Sequence, residues 1–364
     1  VITSFDAGGT SLGESRLFSN NNIVLSSPST YHRNKQASLA MTMSFNELST
    51  KYIDKLSSNN FNHVSFGFPI TNNQYFMLGI KPVLRSIIHM DESEFTFLGS
   101  DVSHIDTDGD GISDPVKYRS SYDFNGGMSE ISASVSSKIT DNFSLGFKMG
   151  KLFGTSKMQD TLYYYPAEVD ANGNLIEDTW LNYQMSENKY NYSSLTYSLD
   201  MRFKIFKRDV LAFYFGQSDY LRVKRNHEDN DLKRYKTKGY KDYGIGLKCN
   251  IYDNFGYTVE FQKYDSFGSI DAINIRDNAP LDMTSYNAGV FIKYNNISHP
   301  NINSINLNLG FYDKLFKMGN QSISSDLALT LGLGIEYLND NSFTFSLEAG
   351  NRNSEFSEFK NEKY

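Results

Sequence analysis

The chain has 364 residues, 39% of them hydrophobic and 15% aromatic, with a mean hydropathy of −0.47 and a formal net charge of −7. The aromatic content argues against disorder, no run approaches the roughly 18 apolar residues of a spanning helix, and the acidic balance argues against nucleic acid as a partner. One cysteine, Cys249, excludes a disulfide framework and a cysteine-rich metal site. The remaining class is all-β: a transmembrane antiparallel β-barrel, in which only every second residue faces lipid.

Val1 opens directly in polar sequence with no signal peptide, so the chain reads as a mature or cropped form. Residues 1–35 do not alternate. They carry Gly8, Gly9, Gly13, the run Asn20 to Asn22, and Ser26-Ser27-Pro28-Ser29. Such a segment is either a periplasmic tail or a plug folded into the lumen. A lumen of about fourteen strands is wide enough to leak, which favours the plug.

From residue 36 onward alternation dominates. Leu195, Tyr197, Leu199, Met201, Phe203 and Ile205 interleave with Thr196, Ser198, Asp200, Arg202 and Lys204. Leu327, Leu329, Leu331, Leu333, Ile335 and Tyr337 repeat the pattern. Thirteen such runs lie near 36–46, 61–70, 74–88, 126–140, 142–153, 189–206, 209–225, 235–252, 254–265, 283–295, 303–313, 322–338 and 341–350. Several reach the roughly 9–11 residues that a tilted membrane-crossing strand needs.

The connections alternate between tight and long. Tight ones fall at 71–73, 141–142, 207–208, 253–254, 298–301 and 339–340, and long ones at 47–60, 89–125, 154–188, 226–234, 266–282 and 314–321. Short periplasmic turns opposite long external loops are an outer-membrane signature, and they place the N-terminus in the periplasm. Single-chain bacterial barrels have even strand numbers. Glu358 to Tyr364 therefore reads as the start of a truncated fourteenth strand, the other reading being a strand split or missed elsewhere. The expected organisation is a plug at 1–35 and a barrel at 36–364, with long external loops at 89–125, 154–188 and 218–241.

These residues resemble the FadL-type outer-membrane transporters of long-chain fatty acids and other hydrophobic compounds. Ala7-Gly8-Gly9 through Gly13, leading to Ser27-Pro28-Ser29-Thr30, is similar to the Gly-rich start and Asn-Pro-Ala motif of that family's hatch. Ser27 and Ser29 stand where the motif has Asn and Ala. Phe66-Gly67-Phe68-Pro69-Ile70 and Gly79-Ile80-Lys81-Pro82 resemble Bacteroidota-type relatives, as do Asn125-Gly126-Gly127, Phe143-Ser144-Leu145-Gly146 and Leu152-Phe153-Gly154. The likeness covers most of the chain through loose motifs. It implies a fourteen-stranded barrel, no enzyme chemistry, and a hydrophobic ligand that passes the hatch and leaves sideways through the wall. PorV-type barrels of type IX secretion share the fold. The alternative implied is therefore an accessory subunit of a larger outer-membrane assembly, with other outer-membrane proteins as partners.

Five local features bear on chemistry of their own. Asp106-Thr107-Asp108-Gly109-Asp110-Gly111-Ile112-Ser113-Asp114 spaces carboxylates around glycine turns, which suits a hard Ca²⁺ ion. Asp106, Asp108, Asp110 and Asp114 would give side-chain oxygens and Ile112 its carbonyl. Lys117 stands where an EF-hand would close with Glu, so the loop is closer to a thrombospondin type-3 repeat; the plainer reading is a hydrated acidic tip. Gly9-Thr10-Ser11-Leu12-Gly13 matches G-x-S-x-G but lacks the strand, helix and downstream partners of a nucleophile elbow. The six histidines show no zinc spacing. Lys148, Asp200, Arg202, Lys204, Lys248, Glu260, Asp326, Glu336 and Glu348 fall on the inward face. They read as a polar network that anchors the plug, or as a path that steers a ligand headgroup. Finally, Arg222, Lys224, Arg225, Lys233, Arg234, Lys236, Lys238 and Lys241 form a basic external hairpin. It either meets outer-membrane lipid and lipopolysaccharide or is simply solvated.

Overall fold

The fold was read from a computed structural model. It describes residues 7–18, 27–48, 56–91, 96–99, 101, 103–106, 109–166, 182–206, 208–227, 232–267, 281–295, 297, 299–318, 321–337, 341–354 and 362–363. A one-turn helix, α1 (Ala7–Thr10), and a 3₁₀ turn, Pro28–Arg33, precede a single antiparallel sheet. Its first strands are β1 (Ser38–Leu48), β2 (Leu56–Thr71), β3 (Gln74–Asp91), the short β4 (Thr96–Leu98), β5 (Val116–Lys138), β6 (Phe143–Pro166) and β7 (Asn182–Lys204). The second half holds β8 (Val210–Ser218), β9 (Leu221–His227), β10 (Leu232–Thr237), β11 (Lys241–Tyr252), β12 (Phe255–Asp265) and β13 (Leu281–Tyr294). It ends with β14 (Ile302–Met318), β15 (Gln321–Tyr337), β16 (Ser342–Ser354) and the two-residue β17 (Glu362–Lys363).

Each strand pairs with its neighbours in chain order, as an up-and-down barrel wall requires. β8 and β9 are two halves of one wall strand, because both pair with β7. β10 and β11 are likewise halves of the next, pairing with β9 and β8 respectively. β17 sits beside β16 through Asn351↔Lys363 and Arg352↔Glu362, which is the fourteenth wall position. Two prolines coincide with bulges: the register slips between Pro69 and Thr71 and between Pro82 and Leu84. A strand proline cannot donate to the ladder, and a bulge removes the need for it to do so.

The sheet is apolar on one face and polar on the other, and the apolar face is the exposed one. Leu39, Met41 and Phe45 of β1 are 72%, 63% and 75% exposed, and Leu327, Leu329 and Leu331 of β15 are 48–62% exposed. On the other face Ser134, Ser136, Thr196, Asp200, Glu260, Asn308 and Thr330 are buried. Water would not tolerate this arrangement; a bilayer requires it. Phe143 stacks on Phe203 with centroids 4.8 Å apart at the tight-turn end, and Phe206 and Tyr252 are exposed at the same end of the sheet. Aromatic side chains of this kind mark a membrane–water boundary.

The structure moves several expected boundaries. β5, β6 and β7 have 23, 24 and 23 residues, more than twice the roughly ten that a tilted strand needs to cross. Strand thus takes up 89–91, 96–98 and 116–125 of the expected loop 89–125, and 154–166 and 182–188 of the expected loop 154–188, and the connections shrink to 92–115 and 167–181. The expected loop 218–241 is the β9–β10 hairpin. Residues 314–321 are not a long loop: β14 and β15 run on to the pair Met318↔Gln321. The expected single runs 209–225 and 235–252 are each broken, at 219–220 and 238–240. The breaks lie side by side, with Ser218 N donating to Tyr240 O at 3.0 Å and Asp219 N to Leu195 O at 2.8 Å. Across them the inward residues change from Val210, Ala212 and Tyr214 to Leu221 and Val223.

Candidate functional site

The inward face carries the functional groups, and most of them meet the N-terminal segment. Residues 9–18 lie against the wall along a track of glycines. A β-carbon on Gly310 would fall 2.0 Å from Gly13 N, one on Gly332 would fall 2.1 Å from Ser11 Cβ, and one on Gly246 would fall 2.6 Å from the Phe18 ring. Gly13 itself has φ +74° and lies against the Phe311 and Ala288 carbonyls, so a side chain there is excluded twice. Wall side chains then hold the segment's backbone. Thr330 Oγ1 accepts from Gly13 N at 3.1 Å, and Asn308 Nδ2 donates to Ser11 Oγ at 2.7 Å. Glu260 accepts from the backbone nitrogens of Arg16 (3.2 Å) and Leu17 (3.1 Å) and from Ser15 Oγ (2.5 Å). Arg16 pairs with Asp242, and Glu14 with Lys314.

The second half of the segment is held by Asp200 and Arg202. Asp200 Oδ2 accepts from Ser27 Oγ (2.6 Å), Ser29 N (3.1 Å) and Ser29 Oγ (2.7 Å). Arg202 donates to Ser29 Oγ (3.1 Å), Ser27 Oγ (2.7 Å) and the Leu17 carbonyl. Pro28 and Ser29 fill the slot at Gly146, where a β-carbon would fall 2.3 Å from Ser29 N. Tyr31 buries against Tyr75 and Met77, and His32 N donates to Ser136 Oγ at 3.1 Å. Burial, then the charge of Arg33, lowers the His32 pKa to about 4. Glu260, Asp200 and Arg202 thus tie down the two described stretches, 9–18 and 27–33, of the segment expected as a plug.

Of the residues expected in the lumen, the structure gathers Asp200, Arg202 and Glu260 around that segment. Glu336 takes Lys293 at 2.9 Å and Ser304 Oγ at 2.5 Å, and Glu348 takes Tyr312 OH at 2.6 Å. Lys204 is exposed at the tight-turn end of β7. The hatch residues divide: Ser27, Pro28 and Ser29 are buried in the seam just described, and Gly8 and Gly9 lie in α1. Glu130 was not anticipated. It is 1% exposed and takes Lys148 at 2.8 Å, Lys81 at 3.5 Å and Thr196 Oγ1 at 3.2 Å. Its inward phase within 126–140 was the available signal. Arg16 and Asp242 were missed too, since nothing in the sequence pairs residues 226 positions apart.

Further from the tight turns, the inward face becomes apolar. Phe124 and Met128 of β5, Met158 of β6, Tyr190 and Tyr192 of β7, and Leu221 and Val223 of β9 form one buried cluster. Tyr122, Tyr235 and Phe267 pack on it. Here the wall is apolar inside, whereas a water-filled pore would be polar.

The acidic loop folds as a glycine turn. Gly109 and Gly111 have φ +82° and +84°. Asp106 accepts from Gly109 N (2.6 Å) and Gly111 N (2.8 Å), and Asp110 from Ile112 N (2.7 Å). Asp108 lies outside the described residues. Among the described residues no three His, Cys, Asp or Glu side chains converge as metal ligands. Asp114 N donates to Ile105 O at 2.8 Å, closing the loop's base. Ser11 of the G-x-S-x-G match is fully buried against Asn308, a position that serves docking rather than nucleophilic attack.

No family model and no curated protein matches the sequence. Solved structures do match the fold. A Pseudomonas aeruginosa FadL homologue aligns over 99% of this chain and 94% of its own, with TM-score 0.55 and 11% identity. The P. putida toluene transporter TodX aligns over 100% and 96%, with TM-score 0.51 and 10% identity. The monoaromatic hydrocarbon channel CymD aligns over 100% and 95%, with TM-score 0.54 and 8% identity. The chain therefore has the FadL-type barrel fold, as the sequence resemblance implied.

Proposed function

We propose that this protein is an outer-membrane channel for hydrophobic compounds, with residues 1–35 as its hatch. The observation that carries this is the apolar cluster of Phe124, Met128, Met158, Tyr190, Tyr192, Leu221 and Val223 on the inward face. A solute burying on the order of 200 Å² there gains about 5 kcal/mol. Beyond it, the docked N-terminal segment blocks the polar half of the lumen. Two of the fold's matches, TodX and CymD, are named as a toluene transporter and a monoaromatic hydrocarbon channel. In the proposed orientation the tight turns and the N-terminus face the periplasm, and the β9–β10 hairpin faces outward. The test is binding of toluene and of laurate to the purified full chain in detergent, comparing wild type with Met158→Asp. Saturable binding that the variant weakens at least tenfold supports the reading; binding equal in both, or absent from both, refutes it.

The register supports lipopolysaccharide as a second partner. Arg222 stands opposite Lys236, and Lys224 opposite Arg234, on the exposed face of the β9–β10 hairpin. Like charges directly opposite destabilise a ladder, and lipid phosphates would relieve the repulsion. Ca²⁺ in the loop 106–114, held by its aspartates, is the third proposed ligand, with a stabilising role only.

A further inference from the structure

We propose that the tight-turn mouth of the barrel holds an anion-binding site, for a carboxylate or phosphate group, that is coupled to the hatch. The site is a cavity of about 330 Å³ between the Pro28–Arg33 turn, the β5–β6 turn and the adjoining ends of β7 and β8. That lies at the lower end of the range of small-ligand pockets. Five fixed cations line it, Arg33, Lys35, Lys138, Arg202 and Lys204, against one carboxylate, Asp141. In a chain of net charge −7 this is a local inversion of sign.

The existing partners leave much of that charge uncompensated. Asp141 is already taken by Lys138 at 2.5 Å, and its charge also reaches Lys204, so one carboxylate serves two lysines. Lys35 donates to the Asn72 carbonyl at 2.6 Å, which is neutral. Arg33 and Lys204 meet no carboxylate within ion-pair distance among the described residues. Arg33 is exposed at the cavity's rim, and the protein packed around its guanidinium lowers its pKa from the usual value with no counter-charge among the causes. Collecting cations in a partly enclosed space costs energy unless an anion joins them. A guanidinium also offers forked donors that fit carboxylate and phosphate oxygens. Thr140, Asn142 and Ser144 add neutral polar groups to the lining.

The coupling comes from Arg202. It forms part of the cavity wall and also donates to Ser27, Ser29 and the Leu17 carbonyl. An anion that draws on Arg202 competes with three bonds that hold the hatch. Binding of the anion and docking of residues 27–33 are therefore linked, and linkage runs both ways. This site stands apart from the apolar cluster, so it does not depend on hydrophobic transport.

The test uses the full chain in detergent, with isothermal titration of inorganic phosphate, acetate and octanoate, and hydrogen exchange at residues 27–34. The variant is Arg33→Gln/Lys204→Gln, which leaves Arg202 and the hatch bonds in place; its folding is checked by heat-modifiable gel migration. The expected result is saturable binding of at least one probe, weakened tenfold or more in the variant and accompanied by altered exchange at 27–34. Phosphate stronger than octanoate assigns a phosphate-bearing ligand; octanoate stronger than both acetate and phosphate assigns the carboxylate of an amphiphile. No saturable binding of any probe, or equal binding by the folded variant, overturns the site. Binding without any change in exchange overturns the coupling.

Discussion

Replacing Gly332 with valine tests the hatch seam most directly. The first added carbon would fall 2.1 Å from Ser11 Cβ, far inside van der Waals contact. Strand β15 cannot retreat, because β14 and β16 pair with it on both sides. Residues 9–18 must therefore shift. Overpacking costs about 1–3 kcal/mol, and losing the Asn308–Ser11 and Thr330–Gly13 bonds adds about 1 kcal/mol each. A total of about 3–5 kcal/mol means a loss of roughly a hundredfold or more in the docked-to-undocked ratio. Gly334→Val is the matched control, since its β-carbon would meet nothing closer than 3.5 Å on the same face of the same strand. Hydrogen exchange with mass spectrometry should show residues 9–18 deprotected in Gly332→Val and unchanged in Gly334→Val. Equal protection in both variants would refute the glycine track as the determinant of docking.

Three further outcomes follow from the same geometry. Asp200→Asn leaves the shape intact but removes the charge that accepts three bonds from Ser27 and Ser29; at about 1.5–3 kcal/mol for bonds to a charged group, residues 27–34 should become at least tenfold more protease-sensitive. The His32 pKa is lowered from 6.5 to about 4, by burial first and then by Arg33, Lys35 and Lys138. The undocked chain therefore binds the proton better, and docking is strongest above pH 6.5. It weakens as pH falls from 6.5 towards 4, by on the order of 1–2 kcal/mol after screening of a half-exposed ring. Exchange at residues 28–33 measured across that range should rise in wild type and stay flat in His32→Gln. Calcium at the outer loop should slow proteolysis within 99–115, with chelator reversing it and Asp106→Asn abolishing it; a calorimetric titration without heat would remove the proposed ion.

Much of the wall was legible because lipid enforces a period of two. Leu327 to Tyr337 and Leu195 to Lys204 show it without interruption, and both are strand. Legibility failed where lipid ends. In the extensions of β5, β6 and β7 neither face meets hydrocarbon, so Tyr163-Tyr164-Tyr165 and Lys157 through Asp160 carry no alternation although they are paired throughout. The connection at 314–321 was misjudged because a bulge between Phe316 and Lys317 interrupts the pattern. Asp200, Arg202 and Glu260 were visible as charges in the inward phase, but their partners were not. Glu130 needs Lys81 and Lys148 from two other strands, and the glycine slots at 289, 310 and 332 belong together only once register places them side by side. Sequence spacing holds no record of register between strands.

The side-by-side breaks at 219–220 and 238–240 act as a frame shift in the wall. Below them the even-numbered residues of this strand pair face the lumen, and above them the odd-numbered ones do. Were each break to close into regular strand at its full length, the period of two would run on unshifted and exchange the two faces of the hairpin. Leu221 and Val223 would then point to the outside, and Arg222 and Lys224 would enter the apolar vestibule. The irregular path of those two connections, more than any side chain in them, decides whether the upper channel is oily or charged.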